Sequence, residues 1–134
     1  MSAAAIRSAL EVALAAMTPA IGTAWENAPY SAVVGTPYQR VFLLFAEPDN
    51  PEMGRFTTDR GFLQVSLAYP LNSGPALAAA RAELIRDTFY RGRSFTSGGI
   101  TTTIERTPEI APAIVEPDRY VVPVRVRFFA NYTA

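Results

Sequence analysis

The feature that most constrains the fold is an unbroken alternation near the C-terminal end. Tyr120, Val122, Val124, Val126 and Phe128 fall on one side of an extended chain, and Val121, Pro123, Arg125, Arg127 and Phe129 on the other. A period of two over ten residues suits a pleated strand, and its Val-rich side needs a core to face. Residues 60–69 repeat the pattern: Leu63, Val65, Leu67 and Tyr69 share one face, Gln64, Ser66 and Ala68 the other, and Pro70 stops the run. A third run, Tyr38-Gln39-Arg40-Val41-Phe42-Leu43-Leu44-Phe45, has strand composition but is apolar on both faces from Val41 onward. Such a strand is either central and covered on both sides or has one face reserved for another subunit.

Two segments carry the helical period instead. Ser2 can cap a four-turn helix in which Ile6, Leu10, Leu14 and Met17 recur every three or four positions, with Arg7, Ser8 and Glu11 toward water; Thr18-Pro19 ends or bends it. Asn72-Ser73-Gly74 turns the chain into Pro75, which opens a second helix reaching about Tyr90. There Leu77, Leu84 and either Ile85 or Phe89 are expected inward, and Arg81, Arg86 and Asp87 outward, with Gly92 marking the end.

The remaining elements are shorter. Residues 21–27, centred on Trp25, read as a first strand, with Trp25 more at home in a core than as a ligand platform. Residues 47–58 form a long polar loop without period. Residues 92–99 read as a helix C-cap and hairpin turn, followed by a strand in which Ile100, Thr102 and Ile104 share a face. Pro108 and Pro112 confine the next segment to an edge or irregular strand, and Glu116-Pro117-Asp118 is a turn. The order is α-β-β-β-α-β-β-β without internal repeats. It predicts one α+β domain over residues 1–134, with two helices on one side of a mixed or antiparallel sheet.

The residue inventory narrows the chemistry. The chain has no cysteine and no histidine, and all 12 of its basic residues are arginine. Thiolate and imidazole chemistry, Schiff-base lysines and the lysine of a phosphate loop are therefore excluded. An acid or base would have to be Asp, Glu or Tyr, and the carboxylates are scattered. Glu47, Asp49 and Glu52 lack the calcium-loop ligand pattern, and residues 92–99 lack the strand-to-helix context of a phosphate loop, so no cofactor or metal is expected. A formal net charge of +0 provides no field for tight nucleic-acid binding. Arg7 and Glu11 interrupt the apolar N-terminal stretch, so neither a signal peptide nor a membrane span is read there, and a soluble intracellular protein is expected.

Several residues remain unexplained by a core. Arg125 and Arg127 lie among apolar and aromatic neighbours, which describes either a solvated face or the centre of a protein interface. Arg91 and Arg93 follow the second helix, where they either complement its C-terminal dipole or meet an anion or another subunit. An arginine-only basic set reflects a GC-rich genome, selection for interface contacts, or both.

The ordered set Ile6-Arg7-Ser8-Ala9-Leu10-Glu11, Trp25-Glu26-Asn27, Gly35-Thr36-Pro37-Tyr38-Gln39-Arg40-Val41, Glu47-Pro48-Asp49-Asn50-Pro51, Ala82-Glu83-Leu84-Ile85-Arg86, Arg106-Thr107-Pro108-Glu109-Ile110 and Val124-Arg125-Val126-Arg127-Phe128-Phe129-Ala130 resembles the tail terminator proteins of long-tailed, non-contractile bacteriophages. The resemblance covers nearly the whole chain. It implies an α+β subunit, without catalytic residues, that forms a hexameric ring at the head-proximal end of the tail tube. Such a ring stops growth of the tube protein and offers a surface to the head connector or head-closure protein, while DNA passes through its lumen without sequence-specific binding. The expected location is the virion, after assembly in the host cytoplasm, with no membrane contact. The candidate contact residues, read from this chain and not transferred from the family, are Phe42, Leu44, Met53, Arg55, Phe56, Arg91, Arg93, Arg125, Arg127 and Phe129. Strand 41–45 and the face of residues 125–129 are taken as two halves of a ring contact, and loop 47–58 as a segment that orders on the tube or connector. Another head–tail ring component, or a small ligand-binding or enzymatic domain built on Asp, Glu and Arg, are the other functional readings.

Overall fold

The computed structural model describes residues 2–50 and 54–133, without the side chain of Ser2. Its elements are α1 (Ser2–Ala15), β1 (Gly22–Ala24), β2 (Tyr38–Phe45), β3 (Phe56–Pro70), α2 (Ala76–Thr88), β4 (Ser94–Ser97), β5 (Ile100–Ile104), β6 (Glu109–Ile110), β7 (Ile114–Val115) and β8 (Arg119–Thr133). One sheet runs in the order β1-β2-β3-β8-β5-β4, with β6 and β7 also paired to β8. Only β1 and β2 are parallel; the other pairs are antiparallel, so the sheet is mixed.

The two alternating runs pair with each other. β3 and β8 are matched residue for residue from Phe56 opposite Thr133 to Pro70 opposite Arg119, and the pairing lays the Leu63, Val65 and Leu67 face beside the Val122, Val124 and Val126 face. Both helices cover this inner face. Ile6, Leu10 and Leu14 of α1 and Ala78, Ala82 and Ile85 of α2 join Val41, Leu43, Phe128 and the strand residues just named in one buried cluster. Phe45 lies at its margin, edge-on to Phe128 with ring centroids 5.8 Å apart.

The α+β class and the helix placement agree with the sequence reading, whereas several details differ. Five strands follow α2, not three. Ser94–Ser97 is a strand, paired to β5 across Gly98 and Gly99, both at positive φ. Its only large apolar residue is Phe95; hydroxyl pairs Ser94–Thr103 and Thr96–Thr101, each 3.0 Å, hold its other side. The proline-rich edge splits into β6 and β7, and Pro123 of β8 marks the break. Its carbonyl accepts from Ala111 (2.9 Å). A strand residue's N–H and C=O point to the same neighbour, so the donor that proline lacks falls on this interrupted edge and the β3 ladder loses nothing. The first strand is confined to Gly22–Ala24, and Trp25 follows it, partly buried against the core. The polar loop is shorter than expected because Phe56, Thr57 and Thr58 extend β3, and Asp49 and Thr58 exchange backbone hydrogen bonds of 2.9 and 2.8 Å.

On α2 the inward stripe is shifted by one residue. Ala78, Arg81, Ala82, Ile85 and Phe89 are buried, while Leu77 is exposed. Residues 78, 81, 82 and 85 share a helical stripe at spacings of three and four, and the two alanines let the helix approach the sheet closely. Arg81 is thereby carried inside although it is charged.

A close approach also governs Gly61, opposite Phe45 in β2 and Phe128 in β8. A Cβ there would lie 2.1 Å from the Leu44 carbonyl oxygen, a backbone atom that cannot rotate away. Gly61→Ala is expected to destabilise the fold by about 1 to 3 kcal/mol, read as a lower midpoint in urea unfolding with an unchanged m-value.

Candidate assembly surface

The sheet face away from the helices is built in transverse rows by the strand registers. Tyr38, Ala68 and Val121 form one row; Arg40, Ser66 and Pro123 the next; then Phe42, Gln64 and Arg125; then Leu44, Phe62 and Arg127; and beyond them Arg60 and Phe129. The chain covers one end of this face itself. Tyr38, Ala68 and Val121 are buried in a small second cluster with Ala24, and the ring of Tyr30 stacks on Tyr38 with centroids 5.2 Å apart. Arg119, itself buried, donates from Nη1 to the Thr36 carbonyl (2.6 Å) and from Nη2 to the Val33 carbonyl (2.8 Å), and its guanidinium lies 5.0 Å from the Tyr38 ring centroid. Arg40 donates from Nε to the Tyr38 hydroxyl and from both terminal nitrogens to Glu116, at 3.0 and 2.9 Å. This fork-to-fork pair fixes the turn before β8 against β2. The braced loop ends in a bare apolar tip: Val34 is 96% exposed and Val33 62%, with Ile114 and Val115 of β7 also exposed at this end of the sheet.

Nothing among the described residues covers the middle of the face. Phe42 and Leu44 are exposed, and Phe62 lies between Arg125 and Arg127, whose guanidinium carbons are each 5.8 Å from its ring centroid. Arg125 also donates to Gln64 Oε1 (3.3 Å). Among the described residues no carboxylate lies within 4 Å of either arginine. At the far margin Arg60 pairs with Glu105 at 3.0 Å, beside a groove of about 320 Å³ that includes Leu44, Phe62 and Arg127.

The structure therefore brings Phe42, Leu44, Arg125, Arg127 and the half-buried Phe129 onto one surface. β3 alone separates β2 from β8, so these residues form one continuous patch. Arg93 is turned elsewhere, donating to the Thr88 carbonyl and lying over the Tyr90 and Phe95 rings. Arg91 lines a shallow cleft with Glu105, Arg106 and Thr107. Arg55 is exposed beside Phe56 at the start of β3, and Met53 lies outside the described residues. The sequence reading missed Phe62, which continues the Gln64 face by two positions, and the Val33-Val34 tip, which carries no periodic signal. Among the described residues no group of three Asp or Glu is placed to hold a metal ion, and no helix is long and apolar enough to cross a membrane.

Residues 5–128 match the family of phage tail terminator proteins. The chain belongs to that family. A solved structure 21% identical in sequence, matched over 99% of this chain and 95% of its own with a TM-score of 0.76, has the same fold. No curated protein matches. Terminator membership makes this a structural protein of the phage tail and places it among virion components. Two carboxylates of the terminator chain respond to their surroundings in the same direction. Glu116 is held below its ordinary pKa of 4.5 chiefly by the hydrogen bonds from Arg40, and Glu26 chiefly by the Leu43 backbone N–H. A lowered folded-state pKa contributes stability above the ordinary value that is lost as pH falls through the depressed one. Glu116→Gln is therefore expected to lower the thermal midpoint near neutral pH and to converge on the parent protein as the pH drops well below 4.5, a pattern measured by thermal unfolding across an acid series.

Proposed function

We propose that this chain is a single-domain subunit of a hexameric ring that caps the head-proximal end of the tail tube, halts addition of tube protein and receives the head connector or head-closure protein. DNA passes through the lumen without sequence-specific contact, and the role involves no catalysis. Assembly takes place in the host cytoplasm before the ring is built into the virion. The observation that carries this reading, beside family membership, is the uncovered sheet face of Phe42, Leu44 and Phe62 with Arg125 and Arg127. Aromatic and arginine side chains in one patch are what the centre of a protein interface tends to contain.

A closed ring requires two different surfaces on each subunit. The sheet face is one. The other, in this reading, is the braced tip of Val33 and Val34, which is apolar, stands at the opposite end of the same face and is held by Arg119 so that little ordering cost remains on docking. Arg91, away from this contact, is assigned to the tube or connector, next to Arg93, whose guanidinium braces the Thr88 carbonyl. So are Met53, Arg55 and Phe56, as contacts of the 47–58 segment with the tube or connector.

Heterologous closure makes a specific prediction. Phe42→Asp and Val34→Asp each alter an exposed side chain and are expected to leave the fold intact, yet neither variant alone should close a ring or cap tubes. Mixed together they retain one matched pair of surfaces and are expected to give a dimer, read by light scattering, while electron microscopy with bare tail tubes shows no capped ends. Capping by Phe42→Asp at parental levels would remove the sheet face from the contact. Separately, shortening the loop between Asn50 and Arg55 is expected to impair capping; tails of normal length, normally joined to heads, would show that this loop has no part in docking.

A further inference from the structure

Arg81 is a charged side chain that the fold does not treat as a surface group. It is only 5% exposed, its Nη1 donates to the Pro19 carbonyl, and its Nε meets no hydrogen-bond acceptor among the described residues. Among the described residues no carboxylate lies within 4 Å. Burial pushes its pKa down, with the nearby Tyr69 hydroxyl acting the other way, but a guanidinium keeps its proton in any protein environment. A buried cation is ordinarily paired, because its desolvation is otherwise uncompensated.

The same cleft contains a second unsatisfied group. Gln39, 1% exposed, donates from Nε2 to the Thr23 hydroxyl (3.0 Å), while its Oε1 has no partner. Arg81, Gln39 and Thr23 line a cleft of about 260 Å³ whose other walls include Leu14, Ile21 and Trp25, with exposed Ala15 and Ala20 at its edge. Two buried polar side chains with unused hydrogen-bonding atoms thus border one apolar-walled opening between the end of α1 and the start of β1. The Thr23 hydroxyl donates its one proton to the Ile21 carbonyl (3.2 Å); turning over the Gln39 amide would redirect that proton to Oε1, at the cost of the Ile21 bond, and leave Nε2 as a second donor on the cleft wall with Arg81 Nε. Two donors, one of them charged, with apolar walls around them, suit a planar anion with two acceptor oxygens.

We propose that this cleft is a carboxylate-binding site, with Arg81 as the charged donor and Gln39 as the neutral one. The carboxylate has two possible sources, a free small acid or an Asp or Glu side chain of a second copy of the chain. The site stands independently of the ring reading, since it rests on the interior of one subunit.

The probe is sodium acetate, and the observable is the Arg81 Nε–Hε cross-peak of the full chain in solution, with sodium chloride at equal ionic strength as the control. Acetate is expected to shift this peak saturably at millimolar concentrations, chloride is not, and Gln39→Leu, which keeps Arg81, is expected to weaken the response by about tenfold. Arg81→Met, if it folds, should abolish the acetate-specific rise in thermal midpoint. A peak that also shifts as protein concentration is raised without acetate, and is reversed by adding it, assigns the carboxylate to a neighbouring copy; a response to acetate alone assigns it to a free acid. A cross-peak indifferent to both acetate and protein concentration, or equally sensitive to chloride, overturns the proposal and leaves Arg81 as a strut for the Pro19 carbonyl.

Discussion

The structure depends on the ladder between β3 and β8. Fifteen residues of each strand pair in register, far beyond the length of an ordinary strand. This pairing fixes which side chains face the helices and which do not, since a slip of one residue would exchange the two faces along the whole ladder. The inner face reads Leu63, Val65, Leu67 against Val126, Val124, Val122, and such a slip would expose all six. Everything else attaches to this ladder: β2 along the free side of β3, β5, β6 and β7 along the free side of β8, and both helices over the inner face. Pro123 sits inside this central strand without cost to the main pairing because its missing donor points to the broken edge.

The arginines acquire a role that neither codon usage nor interfaces would suggest. The chain contains 11 prolines, each of which removes a backbone donor, so its loops have fewer N–H groups to offer their carbonyls. Arginine side chains fill that need at several places. Arg119 donates to Val33 and Thr36, Arg86 to Pro108, Arg93 to Thr88, and Arg81 to Pro19. A forked guanidinium can hold two carbonyls at once, as Arg119 does, with a fixed geometry that a lysine ammonium lacks. Much of the basic set is thus committed to internal bracing, which makes the few arginines outside that duty, Arg125 and Arg127 above all, more informative about contact with other molecules.

What the sequence displayed plainly was whatever depends on period. The alternating runs and the α1 stripe of Ile6, Leu10, Leu14 and Met17 are legible because burial on one side forces a repeat into the residues, while the span of β2 is legible from its strand composition. What depends on contacts between distant segments was not. Arg81 reads as solvent-facing on any helical wheel weighted by polarity, and only the closeness of α2 to the sheet, set by Ala78 and Ala82, draws it in. The strand Ser94–Ser97 is stabilised by hydroxyl pairs that have no apolar signature. For the surface, individual residues such as Phe42 and Arg127 were identifiable as surplus to the core, but their union on one face required the β2–β3–β8 order, which no local pattern encodes.

This division between the two faces also accounts for how such a fold persists with little shared sequence. At 21% identity and a TM-score of 0.76 to a solved structure, the architecture is retained while most residues differ. The inner face demands only that alternate residues be apolar and of compatible volume, a condition that many combinations of Val, Leu, Ile and Phe satisfy. The outer face carries no such demand beyond the end covered by the Tyr38 cluster, so its exposed positions can be exchanged without loss of the fold. A tail protein matched to particular neighbouring components has its specificity to gain there, by apolar anchors and uncompensated charges that reject the wrong partner as well as hold the right one. Phe42, Leu44, Arg125 and Arg127 satisfy that physical condition, since they are surplus to the core and lie together on ground the fold leaves free.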